Sequence, residues 1–340
     1  MDMLPSAFQL ELAEATADFC QQQDPVAIIR TRRGDDSPIE AKTWRAGAEL
    51  GFIGLSASES LGGQGQGISD HALVCRELGR ALLPGPWVAT MIATQVAAAA
   101  GHNDLARAFI AGDDRAGFVL SRGNEVVDER VRGELTLVDA ADAGWMLLCD
   151  ESGVGLIRTS ELACLKPVSC IDPGSRLHSA VADNIEVHCW SSQAAQTLHA
   201  ANCLAAAQLV GIAEAAMARA VEYASTRIQF GKPIGVNQAI KHRCADMAVA
   251  TEAALQQTLF ASVCVDERRN DVEFHCRAAK FLAGRAAIDN AGAGIQIHGG
   301  MGFTYEHDMH LFLSKAHVLD LVMGRGREQL PRILALPAVD

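Results

Sequence analysis

From about Gln196 onward, apolar residues recur at helical spacing almost to the end of the chain, and no other feature constrains the fold as strongly. Leu209, Ile212, Ala216, Ala220 and Tyr223 share one face; Ile240, Cys244, Met247, Thr251 and Leu255 share a second; Phe274, Ala278, Phe281, Ile288 and Ile295 share a third. The pattern breaks near residues 231 to 237 and 268 to 271. Long helices with such short connections run antiparallel, so residues 196–340 are expected to form a four-helix bundle.

The earlier part divides in two. Residues 1–116 show a helical start near Ser6, then "WRAGAELGFIGL", a loop "SLGGQGQGISD", and a further helix "HALVCRELGRALL" for which Ser69 or Asp70 is the expected cap. Residues 117–195 change to short apolar runs between turns, among them "GFVLS", "ELTLV", "WMLLC" and "VGLI", which predict a small antiparallel sheet or barrel. The expected fold is mainly α with a central β domain: N-terminal helical domain, middle β domain, C-terminal bundle.

Composition narrows the function classes. A formal charge of −12 without a basic block leaves no counter-charge for a phosphate backbone, so nucleic acid is not an expected partner. The N-terminus is acidic and amphipathic, and no run approaches the ~18 apolar residues of a membrane span, so a soluble, cytoplasmic protein is expected. Ten scattered cysteines without a C-x-x-C pair are expected to be reduced and mostly buried.

Two segments carry chemistry. In "STRIQFGKPIGVNQAIKHRCADM", residues 225–247, Gly231 can end one bundle helix, Pro233 prevents its continuation and Asn237 can cap the next. Arg227 there is either a solvated charge at a helix end or a planar fork for a phosphate, with the Phe230 ring beside it. In "IQIHGGMGFTYEHDMH", residues 295–310, Gly299 and Gly300 end a helix or let backbone approach a ligand, and Gln296 precedes them by a turn. A metal reading of His298, His307 and His310 fails on spacing, because His307 and His310 are three apart and His298 lies across the glycine break. No metal is expected; Thr304 is read instead as the N-cap of the following helix, with Glu306 and Asp308 at its positive end.

Together these segments, with the N-terminal "LGFIGLSASESLGGQGQGISDHALVCRELGRAL", resemble the acyl-CoA dehydrogenase family in order and separation. The resemblance implies the same three domains. It also implies an FAD cofactor bound between subunits and oxidation of an acyl-CoA thioester to the 2,3-enoyl-CoA. A glutamate takes the α proton, the flavin takes the hydride, and an electron-transfer flavoprotein removes the electrons. The residues matching the family's adenosine and pyrophosphate half-site are Arg227, Phe230, Gln238, Gln296, Gly299 and Gly300.

The chain departs from the family elsewhere. Neither the "T-E-P-x-x-G-S-D" loop nor the "W-I-T-N" strand of the middle domain is recognisable in "FVLSRGNEVVDER" or "ELTLVDAADAGWMLLC". The two family positions for the glutamate base fall on Met323 and Ala201, and neither side chain removes a proton. Asp320, Glu328 and Glu214 are the nearest carboxylates. A half-site without its own base is expected of the non-catalytic subunit of an α2β2 heteromer, whose partner is a second acyl-CoA dehydrogenase-like chain and whose substrate is a bulky acyl-CoA such as a steroid side chain. The alternatives are a homo-oligomeric enzyme with a relocated base at Asp320 or Glu328, and a non-redox protein of the same fold.

Overall fold

Ser6 starts the first helix by a reciprocal cap: its hydroxyl accepts from Gln9 N at 3.2 Å, and the Gln9 side chain accepts from Ser6 N at 2.9 Å. Helix α1 (Ala7–Gln23) ends at Asp24, whose left-handed backbone turns the chain into α2 (Pro25–Thr31). Helices α3 (Ala41–Glu49), α4 (Ile68–Arg80), α5 (Trp87–Ala99) and α6 (Asn103–Ile110) complete this part around the stacked rings of Trp44 and Trp87. The structure is a computed structural model that describes residues 5–120, 123–150 and 153–337.

The cap of α4 differs from expectation. Neither Ser69 nor Asp70 occupies the N-cap position, which falls on Gly67; Asp70 accepts from Gly67 N at 2.9 Å. The free N–H groups of Ile68 and Ser69 donate instead to Asp266 at 2.7 and 3.0 Å, from the far end of the bundle. A side chain at Gly67 would meet that carboxylate, since its Cβ would lie 2.5 Å from Asp266 Oδ2.

The middle part is one mixed sheet, not a purely antiparallel one. Its strands are β1 (Ala116–Val119), β2 (Gly123–Val127), β3 (Arg130–Val138), β4 (Trp145–Asp150), β5 (Gly153–Arg158), β6 (Ala163–Val168), β7 (Leu177–Glu186) and β8 (His188–Ser191). Their order is β6-β7-β3-β1-β4-β5-β8, with β2 on β3. The β1–β4 pair is parallel, because the chain leaves β3 through residues 139–144 and returns along the opposite edge of β1. Short apolar runs carry no direction, so periodicity could not foresee this.

The bundle consists of α7 (Ala195–Thr226), α8 (Gln238–Asp266), α9 (Val272–His298) and α10 (Met309–Leu321), with a shorter α11 (Gly326–Ala335) against α9. Helices α7 and α8 are long and apolar enough to cross a bilayer, contrary to the sequence reading, because alanine-rich turns count as apolar. The most apolar stretch of α7 is 78% buried within the protein, against 39% for α8. Helix α7 crosses α4 at backbone contact: a Cβ on Gly211 would lie 1.9 Å from Arg76 O, and one on Gly79 2.1 Å from Gln208 O. Glu214 beside this crossing binds Arg76 at 2.8 and 2.7 Å and Arg80 at 2.6 Å, so it is a structural carboxylate and not a base. Buried Asn290 joins three helices, its Nδ2 facing Thr251 Oγ1 at 2.7 Å, Met247 O at 3.2 Å and Ala213 O at 3.3 Å.

The sheet is fastened to α10 by buried polar groups. Lys315 Nζ donates to Ser175 Oγ at 2.9 Å and stands 3.5 Å from Asp172, while Asp139 accepts from Arg176 N at 2.8 Å. Burial lifts the Asp139 carboxyl to about 6, against the opposing pull of Lys315 and the Arg176 N–H. All ten cysteines are free thiols; Cys20, Cys75, Cys203, Cys264 and Cys276 are buried and Cys164 is exposed.

Two outcomes follow from this packing. Gly211→Ala should lower stability by roughly 1–3 kcal/mol or more in urea unfolding, because backbone cannot yield to the new methyl. Gly292→Ala, in α9 with nothing within 4 Å, should raise it by about 0.5–1 kcal/mol. For Asp139, a folded pKa above the unfolded value means stability that is full at acid pH and lost as pH rises through about 6. Asp139→Asn should therefore flatten the fall in melting temperature between about pH 4 and pH 7.

Candidate functional site

The turns of the bundle place three helix ends together. Helices α7 and α9 run one way and α8 the other, so the C-termini of α7 and α9 meet the N-terminus of α8. Ala220, Ala224, Met247, Ala293 and Ile297 close this end, and the Tyr223 ring stacks on His298 with centroids 4.3 Å apart. Arg227, Phe230, Gln238, Gln296, Gly299 and Gly300 all lie at this end, and all are exposed.

The segment after α7 forms a two-stranded ribbon, β9 (Ile228–Gln229) with β10 (Lys232–Pro233). Phe230 and Gly231 occupy its turn with φ of +52° and +78°. Positive φ at both central residues is what a tight hairpin of this hand requires, and Asn-Gly meets it more easily than Phe-Gly. Phe230 is thus held in a strained conformation with its ring 100% exposed. Gly231 serves the ribbon and does not end α7, as the sequence suggested; Arg227 is the C-cap residue, with extended backbone. Asn237 stands at the N-cap of α8, but its Nδ2 donates to Ile234 O at 3.0 Å and its side chain makes no cap bond.

The Arg227 guanidinium and the side chains of Gln238 and Gln296 make no hydrogen bond or ion pair with the described residues. Gly299, at φ +62°, and Gly300 have nothing within 4 Å of a Cβ position, so backbone is open to a ligand there. A free guanidinium, open glycine backbone and an exposed ring are a donor set that fits the pyrophosphate and base of a dinucleotide.

The histidines nearby are packing residues. His298 Nδ1 lies 2.7 Å from Gly294 O, its ring sits 4.3 Å from that of His307, and His307 Nδ1 accepts from Met309 N at 3.2 Å. The ring of His310 packs edge-on against Tyr305. Thr304 is not an N-cap: α10 begins at Met309, and the Thr304 hydroxyl donates to Met301 O at 2.9 Å. Asp308 pairs with Arg30 at 2.8 Å and Arg219 at 3.4 Å. Cys264, Asp271 and His275 converge at the α8–α9 turn, but Arg269 holds Asp271 at 2.8 and 2.6 Å and keeps its carboxyl low, at about 2.

A cavity of about 690 Å³ opens between the sheet and the other end of α7. Val119, Leu120, Leu148 and Cys149 form its sheet wall. The first turns of α7 add Leu198, His199 and Asn202, and α9 adds Glu273, Cys276 and Arg277. The α10–α11 corner closes it with Leu321, Met323, Gly324, Glu328 and Arg332. Met323, with φ +61°, is on the wall. Ala201 is fully buried in the core, and the residue beside it, Asn202, takes the cavity position. Ser121 and Arg122, in the segment standing where the family loop would be, lie outside the described residues.

The expected relocated bases separate here. Asp320 accepts from Gly326 N at 3.2 Å and lies 3.6 Å from Lys280 Nζ; it shapes the corner and does not line the cavity. Lys280 is fully buried, donates to the carbonyls of Asp320 and Gly324 at 3.1 and 3.4 Å, and burial lowers its pKa to about 8. Glu328 lines the cavity and accepts from Arg325 N at 3.1 Å. Sequence reasoning missed Glu273, which binds Arg277 Nε at 2.8 Å, together with His199, Asn202 and Arg332. The one signal for His199 and Asn202 is "LHAAN", a polar pair one turn apart in an alanine-rich helix.

Comparison with known proteins agrees with this layout. Residues 6–112 match the model of the acyl-CoA dehydrogenase N-terminal domain, and residues 191–334 that of the C-terminal domain. The acyl-CoA dehydrogenase IpdE2 of Mycobacterium tuberculosis is 32% identical over 97% of this chain and 98% of its own. The ChsE4-ChsE5 complex from Mycobacterium tuberculosis superposes with TM-score 0.89 at 21% identity, over 99% of this chain and 100% of that one. A variant of the Tcur3481-Tcur3483 steroid ACAD gives TM-score 0.87 at 22% identity, over 96% of both chains. With both terminal domains matched and a relative aligned over nearly its whole length, the chain belongs to the acyl-CoA dehydrogenase family.

Proposed function

We propose that this chain is the non-catalytic subunit of a heteromeric, FAD-dependent acyl-CoA dehydrogenase, lending the adenosine and pyrophosphate half of the flavin site to a partner that carries the catalytic glutamate. The observation that carries this reading is the bundle end, where six dinucleotide-type residues are exposed together, while Met323, the residue matching the family's base position by resemblance, lines the cavity. Arg227 would clamp the pyrophosphate, Gln238 and Gln296 would orient it, and Phe230 would rest against the partner or the adenine. FAD, when bound, supplies the hydride acceptor.

Two physical points support a shared site. From Asn202 to Arg227 the helix rises by ~37 Å at 1.5 Å per residue, further than one dinucleotide reaches. One flavin therefore does not bridge this chain's cavity and its own bundle end. In addition, Phe230, Met301, Phe303 and Tyr305 expose apolar surface around that end, and α8 leaves most of its apolar stretch uncovered, as a surface made for another subunit does. The heteromeric steroid enzyme and the two-chain complex among the fold relatives favour a second dehydrogenase-like subunit and a bulky acyl-CoA as substrate.

A second reading rests on one observation, that Glu328 lines the cavity. In a homo-oligomer it would be the relocated base. The chain expressed alone should be colourless and inactive, and co-expression with its dehydrogenase-like partner should give a yellow, active complex. In that complex Arg227→Gln should lower flavin affinity by about tenfold or more, the loss of a charge-assisted bond. Glu328→Gln should leave turnover with an artificial acceptor within about twofold; a fall of ~100-fold or more would establish the second reading instead.

A further inference from the structure

We propose that the cavity at the α10–α11 corner is a ligand site of this subunit in its own right, taking a neutral molecule with an apolar body and one hydrogen-bond donor, such as a hydroxyl. The inference rests on the reading that no dehydrogenation takes place in this cavity.

The size and balance of the walls point to such a molecule. At about 690 Å³ the space falls in the range of small-molecule sites. Among the described residues its charged side chains are two acids, Glu273 and Glu328, and two bases, Arg277 and Arg332, so the described lining carries no net charge to attract an ion. Glu273 and Arg277 are already paired at 2.8 Å, and Arg277 also reaches Gln329 Oε1 at 3.1 Å. Apolar side chains, among them Val119, Leu148, Leu198, Leu321 and Met323, make up about half of the lining, on three sides.

One turn of α7 supplies the recognition group. Asn202 is 6% exposed; its Nδ2 donates to Leu198 O at 2.9 Å, which assigns Oδ1 as the other end of the amide, and Oδ1 has no partner among the described residues. His199, three residues earlier and also in the wall, has its Nδ1 buried without a partner among the described residues. Burial lowers the His199 pKa, so the ring is neutral at physiological pH. A buried acceptor without a donor costs about 1–3 kcal/mol, and a ligand hydroxyl reached by a small rotation of the Asn202 amide removes that cost. A hydroxyl donates to Asn202 Oδ1 and can also accept, whichever ring nitrogen of His199 carries the proton, whereas a ketone offers Asn202 nothing, which is why a donor and not a ketone is inferred.

The probes are adamantanol, adamantanone and adamantane carboxylate, titrated calorimetrically into the full chain without flavin, so the result is independent of colour and turnover. Adamantanol should bind saturably at one site, and adamantanone and the carboxylate about tenfold more weakly or worse, the equivalent of one lost hydrogen bond. Asn202→Leu should bring alcohol and ketone to equal affinity. Met323→Trp should abolish both by filling the corner, with folding of each variant checked by cooperative thermal unfolding. Equal binding of alcohol and ketone to the parent chain, binding unchanged in Met323→Trp, or no saturable heat, which marks a hydrated cavity only, would overturn the proposal. Failure of the functional reading is read separately, as a yellow chain whose turnover depends on Glu328.

Discussion

Everything in this molecule is hung on the backbone contact between α4 and α7. Gly79 and Gly211 allow the two helices to touch at carbonyl oxygens, nearer than any side chain would permit. With that spacing set, Glu214 reaches both Arg76 and Arg80, and the N-terminal helices are locked to the bundle by a carboxylate whose charge is fully matched. The same close approach leaves α7 surrounded on all sides from Ala200 to Ala216, which is why its long alanine run is interior and not surface. Asn290 then ties α8 and α9 to it through three acceptors at the centre of the bundle.

A helix so fixed becomes a ruler. Its first turns stand under the sheet and carry His199 and Asn202 into the cavity; its last turn presents Arg227 at the opposite end of the molecule. The chemistry at the two ends differs accordingly. Around the cavity the charges are paired, buried or fastened to backbone, and Lys280 pins the corner from beneath. At the bundle end the donors have no partner among the described residues, and Phe230 is held strained and outward on a two-residue turn. Strain retained at a fully exposed ring has no role in the folding of this chain.

Much of this was legible in residues. The helical period from Gln196 onward marked the bundle because apolar spacing records which face is buried, whatever it is buried against. The matched motifs placed Arg227, Gln238 and Gln296 near one another for the same reason: antiparallel helices with short turns bring those ends together. Other features were hidden because they depend on partners far away in sequence. Asp266 caps α4 from nearly two hundred residues downstream, a role no local pattern announces. The parallel β1–β4 pair arises from a chain crossing, while its residues look like any other apolar run.

The sequence by itself determined the family, the three-part architecture and the methionine, not a carboxylate, at position 323, since each is carried by residue type and order along the chain. Tertiary structure alone decided which acids are structural. Glu214 and Asp320 are consumed by arginines, a lysine and a helix N-terminus, while Glu273 and Glu328 come together in one wall although 55 residues separate them. A carboxylate's role depends on its neighbours and its burial, and both are set by how the helices and the sheet pack, not by where the residue falls in the chain.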